Sequence, residues 1–116
     1  MTGKEETAQF LQEFKNIVAE RGLDIIPRTE TIDFLTELRI TKKDCKNIIM
    51  ELSVLDYCAG PEPDKDKPGD VWMFGKEIGA KQVYIKLKSA DVGNRKIAKC
   101  LSFHTAKYPL SFPHQA

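Results

Sequence analysis

Long apolar runs are missing from this sequence. Nothing in its 116 residues approaches the roughly 20 apolar residues that a membrane helix needs, and no membrane partner is expected. The first residues, Met1-Thr-Gly-Lys-Glu-Glu6, lack the apolar stretch of a secretory signal, so a cytoplasmic location is the expectation. Cysteine is scarce as well. Cys45, Cys58 and Cys100 are odd in number and stand at no metal-ligand spacing, which argues for buried reduced thiols rather than a disulfide frame or a zinc site. No glycine loop of the phosphate-cradling kind occurs; Gly69, Gly75, Gly79 and Gly93 read as turn residues. Carboxylates thin out after Asp66, leaving only Asp70, Glu77 and Asp91. That is too few for a magnesium cage in the second half, and neither metal nor cofactor is expected.

What remains is lopsided. Residues 1–66 carry nine Lys/Arg against fourteen Asp/Glu, a balance of −5, and residues 67–116 carry nine against three, a balance of +6. The overall charge of +1 hides this division. A basic half beside an acidic one suggests a polyanion partner for the basic half, although lysines on solvent-facing strand positions give the same count. The length fits a single domain spanning residues 1–116, with 41% hydrophobic residues, enough for a core.

The first half has helical spacing. Phe10, Leu11, Phe14, Ile17 and Val18 form one stripe, closed by Gly22 as a C-terminal cap. A short apolar segment, Leu23–Pro27, precedes a second helix with Thr29 as its cap and Ile32, Phe34, Leu35 and Leu38 as its apolar positions. Thr41-Lys-Lys-Asp44 has the form of a capping box before the stripe Cys45, Ile48, Ile49, Leu52. The stretch Ala59–Asp70 holds three prolines and two glycines and predicts a mobile surface loop.

Beyond it the period becomes two. Short strands are expected at 71–74, 82–88 and 97–103, with turns at 75–80 and 91–94, giving an antiparallel meander. Val83, Ile85 and Leu87 share one side of the middle strand; Tyr84, Lys86 and Lys88 share the other. Strict alternation puts Ala98, Cys100, Ser102 and His104 together on the next strand. The helices must bury their stripes against one face of this sheet. The expected architecture is α+β, with N-terminal helices on one face of a small C-terminal antiparallel sheet and no second core.

The face away from Val83 would then offer a floor of small side chains flanked by tyrosine, lysines and histidine. Tyrosine stacks on bases, lysine neutralises phosphate and imidazole moves protons near neutral pH. His104 at its exposed strand end is the first candidate for proton transfer. Each residue also has a plainer reading as an ordinary strand or surface side chain.

The series Ile48-Ile-Met-Glu-Leu-Ser53, Asp56-Tyr57, Val71-Trp72, Gln82-Val-Tyr-Ile-Lys86 and Leu101-Ser-Phe103 resembles, in order and spacing, the MqsR family of motility-quorum-sensing-regulator toxins. The resemblance runs from about Thr41 to Phe103. It implies a RelE-like sheet, metal-independent cleavage of messenger RNA, and neutralisation by a cognate antitoxin protein of a type II pair. Tyr84 and Lys86 fall on the family's middle-strand tyrosine and lysine, and His104 follows Ser-Phe where some members carry lysine. The chain departs from the pattern at Cys58 and Ala59, where a lysine often follows Asp-Tyr, and at Met73, where relatives have glutamine. The tail from Thr105 extends beyond the shorter members; it either completes the site with Lys107 and Tyr108 or packs along the sheet edge.

Together these readings predict an endoribonuclease with His104, Tyr84 and Lys86 in catalysis and Lys88, Lys107, Tyr108 and Lys76 in RNA binding. The alternatives are a non-catalytic RNA- or protein-binding module using the same basic face, and a structural partner protein acting through its acidic helices.

Overall fold

The computed structural model describes residues 2–115. Helix α1 (Lys4–Arg21) buries Leu11, Phe14 and Val18 along one stripe. It stops at Gly22, whose positive φ of 85° lets its N–H return to the Val18 carbonyl at 2.8 Å. Strand β1 (Leu23–Ile25), helix α2 (Thr29–Leu38) and helix α3 (Lys42–Met50) follow. The expected capping box starts α3: Asp44 N–H donates to Thr41 Oγ1 and Thr41 N–H to Asp44 Oδ2, each at 3.0 Å. A 3-10 turn (Val54–Asp56) leads into β2 (Tyr57–Pro63), β3 (Asp70–Ile78), β4 (Lys81–Val92) and β5 (Arg95–Thr105).

The sheet has five strands in the order β1-β5-β4-β3-β2 and is mixed, since β1 runs parallel to β5 while the other pairs are antiparallel. The α+β expectation holds; the three-strand meander is its centre, extended by one strand at each edge. Leu23–Ile25 was too short to announce itself as a strand. The predicted loop at Ala59–Asp70 is corrected: its first residues belong to β2, Asp70 opens β3, and residues 64–69 are a short connection. Proline tolerates an edge strand because an outward N–H is not needed there, and the register of β2 against β3 shifts between Tyr57 and Ala59 and again between Ala59 and Glu62.

The helices cover one face of the sheet. Their stripes meet Trp72, Phe74, Val83, Ile85 and Leu87 in a single core, where Phe10 stacks on Trp72 at 4.5 Å and Tyr57 stands edge-on to Trp72 at 6.1 Å. Several residues that carry the family resemblance, among them Ile49, Leu52, Tyr57 and Trp72, are therefore core residues. Contrary to expectation there is also a second, smaller cluster on the outer face. It consists of Val71, Met73 and Leu101, flanked by Ile26, Cys58, Ala59 and Tyr84.

Strict alternation fails in β5. Ala98 and Cys100 lie in the helical core, not on the outer floor, and so does Phe103. Pairing with β4 jumps from Leu87–Cys100 to Lys86–Ser102, so Leu101 is an extra residue in a β-bulge. Beyond the bulge the phase is reversed, and Ser102 and His104 reach the outer face opposite Lys86 and Tyr84. Thr31 of α2, itself buried, supports this point by accepting the Phe103 N–H at 3.2 Å. Without the extra residue, a strand that buries Ala98 and Cys100 would bury His104 too.

Candidate functional site: the outer face of the sheet

Tyr84 and His104 are directly paired across β4 and β5, with ring centroids 5.6 Å apart and planes tilted by 41°. Lys86 is paired with Ser102 one step further along the same face, about 7 Å away at two residues of strand rise. The three residues expected in catalysis thus form one continuous row. Lys86 makes no ion pair among the described residues, so its charge is available.

The hydrogen bonds of His104 fix which nitrogen can act. Its Nδ1 lies 2.9 Å from the Thr105 carbonyl oxygen. A carbonyl only accepts, so Nδ1 carries the proton, and the lone pair of the neutral ring sits on Nε2. Nε2 faces Glu30 Oε2 at 3.9 Å, and the same carboxylate oxygen meets Lys107 Nζ at 3.3 Å. The imidazole is less open than a strand end suggests, with its side chain 16% exposed. Burial, followed by the charge of Glu62, pushes the half-buried Tyr84 hydroxyl above its ordinary value. That shift favours the protonated hydroxyl, which can donate a hydrogen bond.

The residues expected to bind RNA separate into three groups. Lys107 (66% exposed) and Tyr108 (81% exposed) stand beside His104. Lys88 lies on the same face but is buried, its Nζ 2.6 Å from Asp64 Oδ2. Its charge is committed to the β2–β3 connection, and the pair holds the Asp64 carboxyl down at about 2. Lys76 is not in a turn; it belongs to β3, pairs with core-facing Val83 and approaches Asp56 at 3.4 Å. Alternation therefore turns it away from Tyr84, and it drops out of the site.

Three cations that the sequence did not single out stand on the outer face. Arg28, Lys67 and Lys99 line a cleft of about 100 Å³ together with Leu101, Asp64 and Asp66. Arg28 is close enough to lower the Tyr84 hydroxyl partway against the effect of burial. Glu30 was missed as well. Its partners are over 70 residues away, and no local spacing records such a pairing.

The tail packs back onto the sheet. After β5, Ala106 N–H donates to the Gln82 carbonyl at 2.9 Å and Leu110 N–H to Gln82 Oε1 at 3.1 Å. Leu110 and Phe112 then lie across Gly75, where a Cβ would come within 2.5 Å of Leu110 Cδ1. Gly75 is thus not a turn residue but a flat place in β3 that lets the tail pass. The tail ends with His114 buried on the helical side, stacked on Tyr57 at 4.4 Å and 3.1 Å from Thr7 Oγ1.

No family model, curated protein or solved structure matches this chain, and the family reading rests on the quoted residues. Among the described residues, no helix is long and apolar enough to cross a membrane.

Proposed function

We propose that this chain is a metal-independent endoribonuclease toxin that cleaves messenger RNA and is neutralised by a cognate antitoxin, with a RelE-like sheet of the MqsR family as its scaffold. The observation that carries the reading is the row on the outer face: His104, with Nδ1 at a carbonyl and Nε2 3.9 Å from Glu30 Oε2, paired with Tyr84 and followed by Lys86.

The chemistry follows from these groups. His104 Nε2 takes the proton of a ribose 2′-OH, whose oxygen attacks the adjacent phosphorus. The P–O5′ bond breaks, the departing oxygen receives a proton from the Tyr84 hydroxyl, and the products are a 2′,3′-cyclic phosphate and a 5′-OH. Lys86 supports the charge that builds on the non-bridging oxygens. Arg28, Lys67 and Lys99 extend the positive surface along which a strand would run.

The test is incubation of the purified chain with RNA, with mapping of 5′ ends in buffer and in EDTA. Cuts bearing 5′-OH ends should appear equally in both. Restoration of lost activity by magnesium would overturn the mechanism, and retention of uncut RNA would favour a binding module.

A further inference from the structure

The tail is tied down at Ala106 and Leu110 through Gln82, and further on at Gly75, Tyr57 and Thr7. Between the first two ties the exposed segment Lys107-Tyr-Pro109 forms an arch, held among the described residues only by the Lys107–Glu30 contact at 3.3 Å. Beneath the arch lies a pocket of about 320 Å³, predominantly apolar, lined by Tyr84, His104, Lys107, Tyr108, Pro109 and Leu110. That volume lies at the small end of ordinary ligand sites.

We propose that this pocket is a nucleobase subsite, which receives the base next to the cleaved phosphate and which the tail, not the sheet, completes. The proposal rests on the ribonuclease reading and specifies its substrate contact. Two aromatic side chains and an imidazole converge on a mainly apolar space, which suits the flat face of a base better than a phosphate. Tyr108 is 81% exposed at the rim, an aromatic ring left in water beside a pocket it can close. Its ring would lie against one face of the base, with Tyr84 on the other side. The charge follows the same logic: Lys107 at the rim and Lys86 along the row place cations where the flanking phosphates would lie, while the pocket between them is apolar.

The experiment is isothermal titration of the full chain with the four single-stranded homotrimeric 2′-deoxynucleotides, which lack the attacking 2′-OH and so survive. A deoxyribose-phosphate trimer without its central base is the control. The best-bound trimer should lose affinity about tenfold or more when that base is removed, in keeping with the usual contribution of one stacked base. Tyr108→Ala should lose a similar factor, Tyr108→Phe should retain binding, and Lys65→Ala, outside the site, should match wild type. Equal affinity for the abasic trimer, indifference to Tyr108→Ala, or failure of all four trimers to bind overturns the subsite. RNA cleavage is measured in parallel. Base-dependent binding without cleavage would sink the ribonuclease reading and leave the subsite, whereas cleavage with no base dependence would sink the subsite alone.

Discussion

The outer face of the sheet is covered at both ends, by different physics. At one end the β2–β3 connection is clasped by charge: Asp64 meets buried Lys88 at 2.6 Å, and Gly69 packs on the lysine stem. At the other end the tail is held by shape: Leu110 and Phe112 lie flat on Gly75, and His114 is stacked on Tyr57. A clasp made of two ions responds to proton concentration, because losing one charge removes the attraction that holds the other. A strap made of packed rings responds to side-chain volume. The half-buried row from Tyr84 and His104 to Lys86 lies between them, closest to the strap.

If the chemistry belongs to the strap end, substitutions there should outweigh those at the clasp. His104→Ala should fold and lose on the order of 10²–10⁴ in cleavage rate, the usual cost of removing a proton-transfer group. Lys67→Ala, at the clasp end, should weaken RNA binding and its salt dependence while leaving the chemical step intact. Single-turnover cleavage with saturating enzyme separates the two, and a folded His104→Ala chain cutting at the wild-type rate would remove His104 from the mechanism.

A smaller effect tests the strap by volume alone. Gly75→Ala places a methyl group 2.5 Å from Leu110 Cδ1, and overpacking of this kind costs about 1–3 kcal/mol. The melting temperature should fall accordingly, and the pocket beside Tyr84 should open. A fully stable Gly75→Ala chain would mean that the tail does not press on β3.

The clasp should answer to acid. Asp64 is held at about 2, below its ordinary 3.8. Its contribution is therefore fully present above the ordinary value and is lost as pH falls from there through about 2. Amide protection in the β2–β3 connection, taken relative to the intrinsic exchange rate at each pH, should fall across that window, while protection in the tail follows only the global stability. Asp64→Asn should abolish the difference. Titration of the Asp64 carboxyl carbon near 3.8 would show that the clasp is not closed in solution.

The least perturbing change is Lys65→Ala, beside the clasp but with no ion-pair partner among the described residues. Its effect on stability should stay within about 0.5 kcal/mol, with an unchanged cleavage rate. A larger shift in thermal melting would mean that the clasp is stabilised by the whole connection and not by the Asp64–Lys88 pair.

The sequence made the helices legible because each carries its own punctuation, such as Gly22 after α1 and Thr41 with Asp44 before α3. The middle strand was legible for a similar reason: Val83 to Lys88 alternates without interruption, so its outward tyrosine and lysine could be named. The strand β5 was only half legible. Ser102 and His104 do share the face of Lys86, but they reach it through the Leu101 bulge, whereas Ala98 and Cys100 belong to the core. A one-residue insertion in pairing leaves no mark in composition. The two covers were opaque for a different reason. Lys88 could not be seen to be spent on Asp64, nor Gly75 to be lying under Leu110, because both facts depend on partners 24 and 35 residues away in the chain.

The two rims of the sheet bear on how this protein behaves among its own copies. An open strand edge is a template on which another chain can extend the sheet. Here one rim is β1, which is three residues long. The other is β2, whose Pro61 and Pro63 offer no N–H, and whose Gly60 carbonyl already accepts from Thr2 Oγ1 at 2.7 Å and the Tyr57 hydroxyl at 2.6 Å. Neither rim presents an uninterrupted ladder of free donors and acceptors. Concentrated samples should therefore resist fibrillar growth through edge pairing, and a partner that grips this molecule tightly has to do so through side chains on its faces.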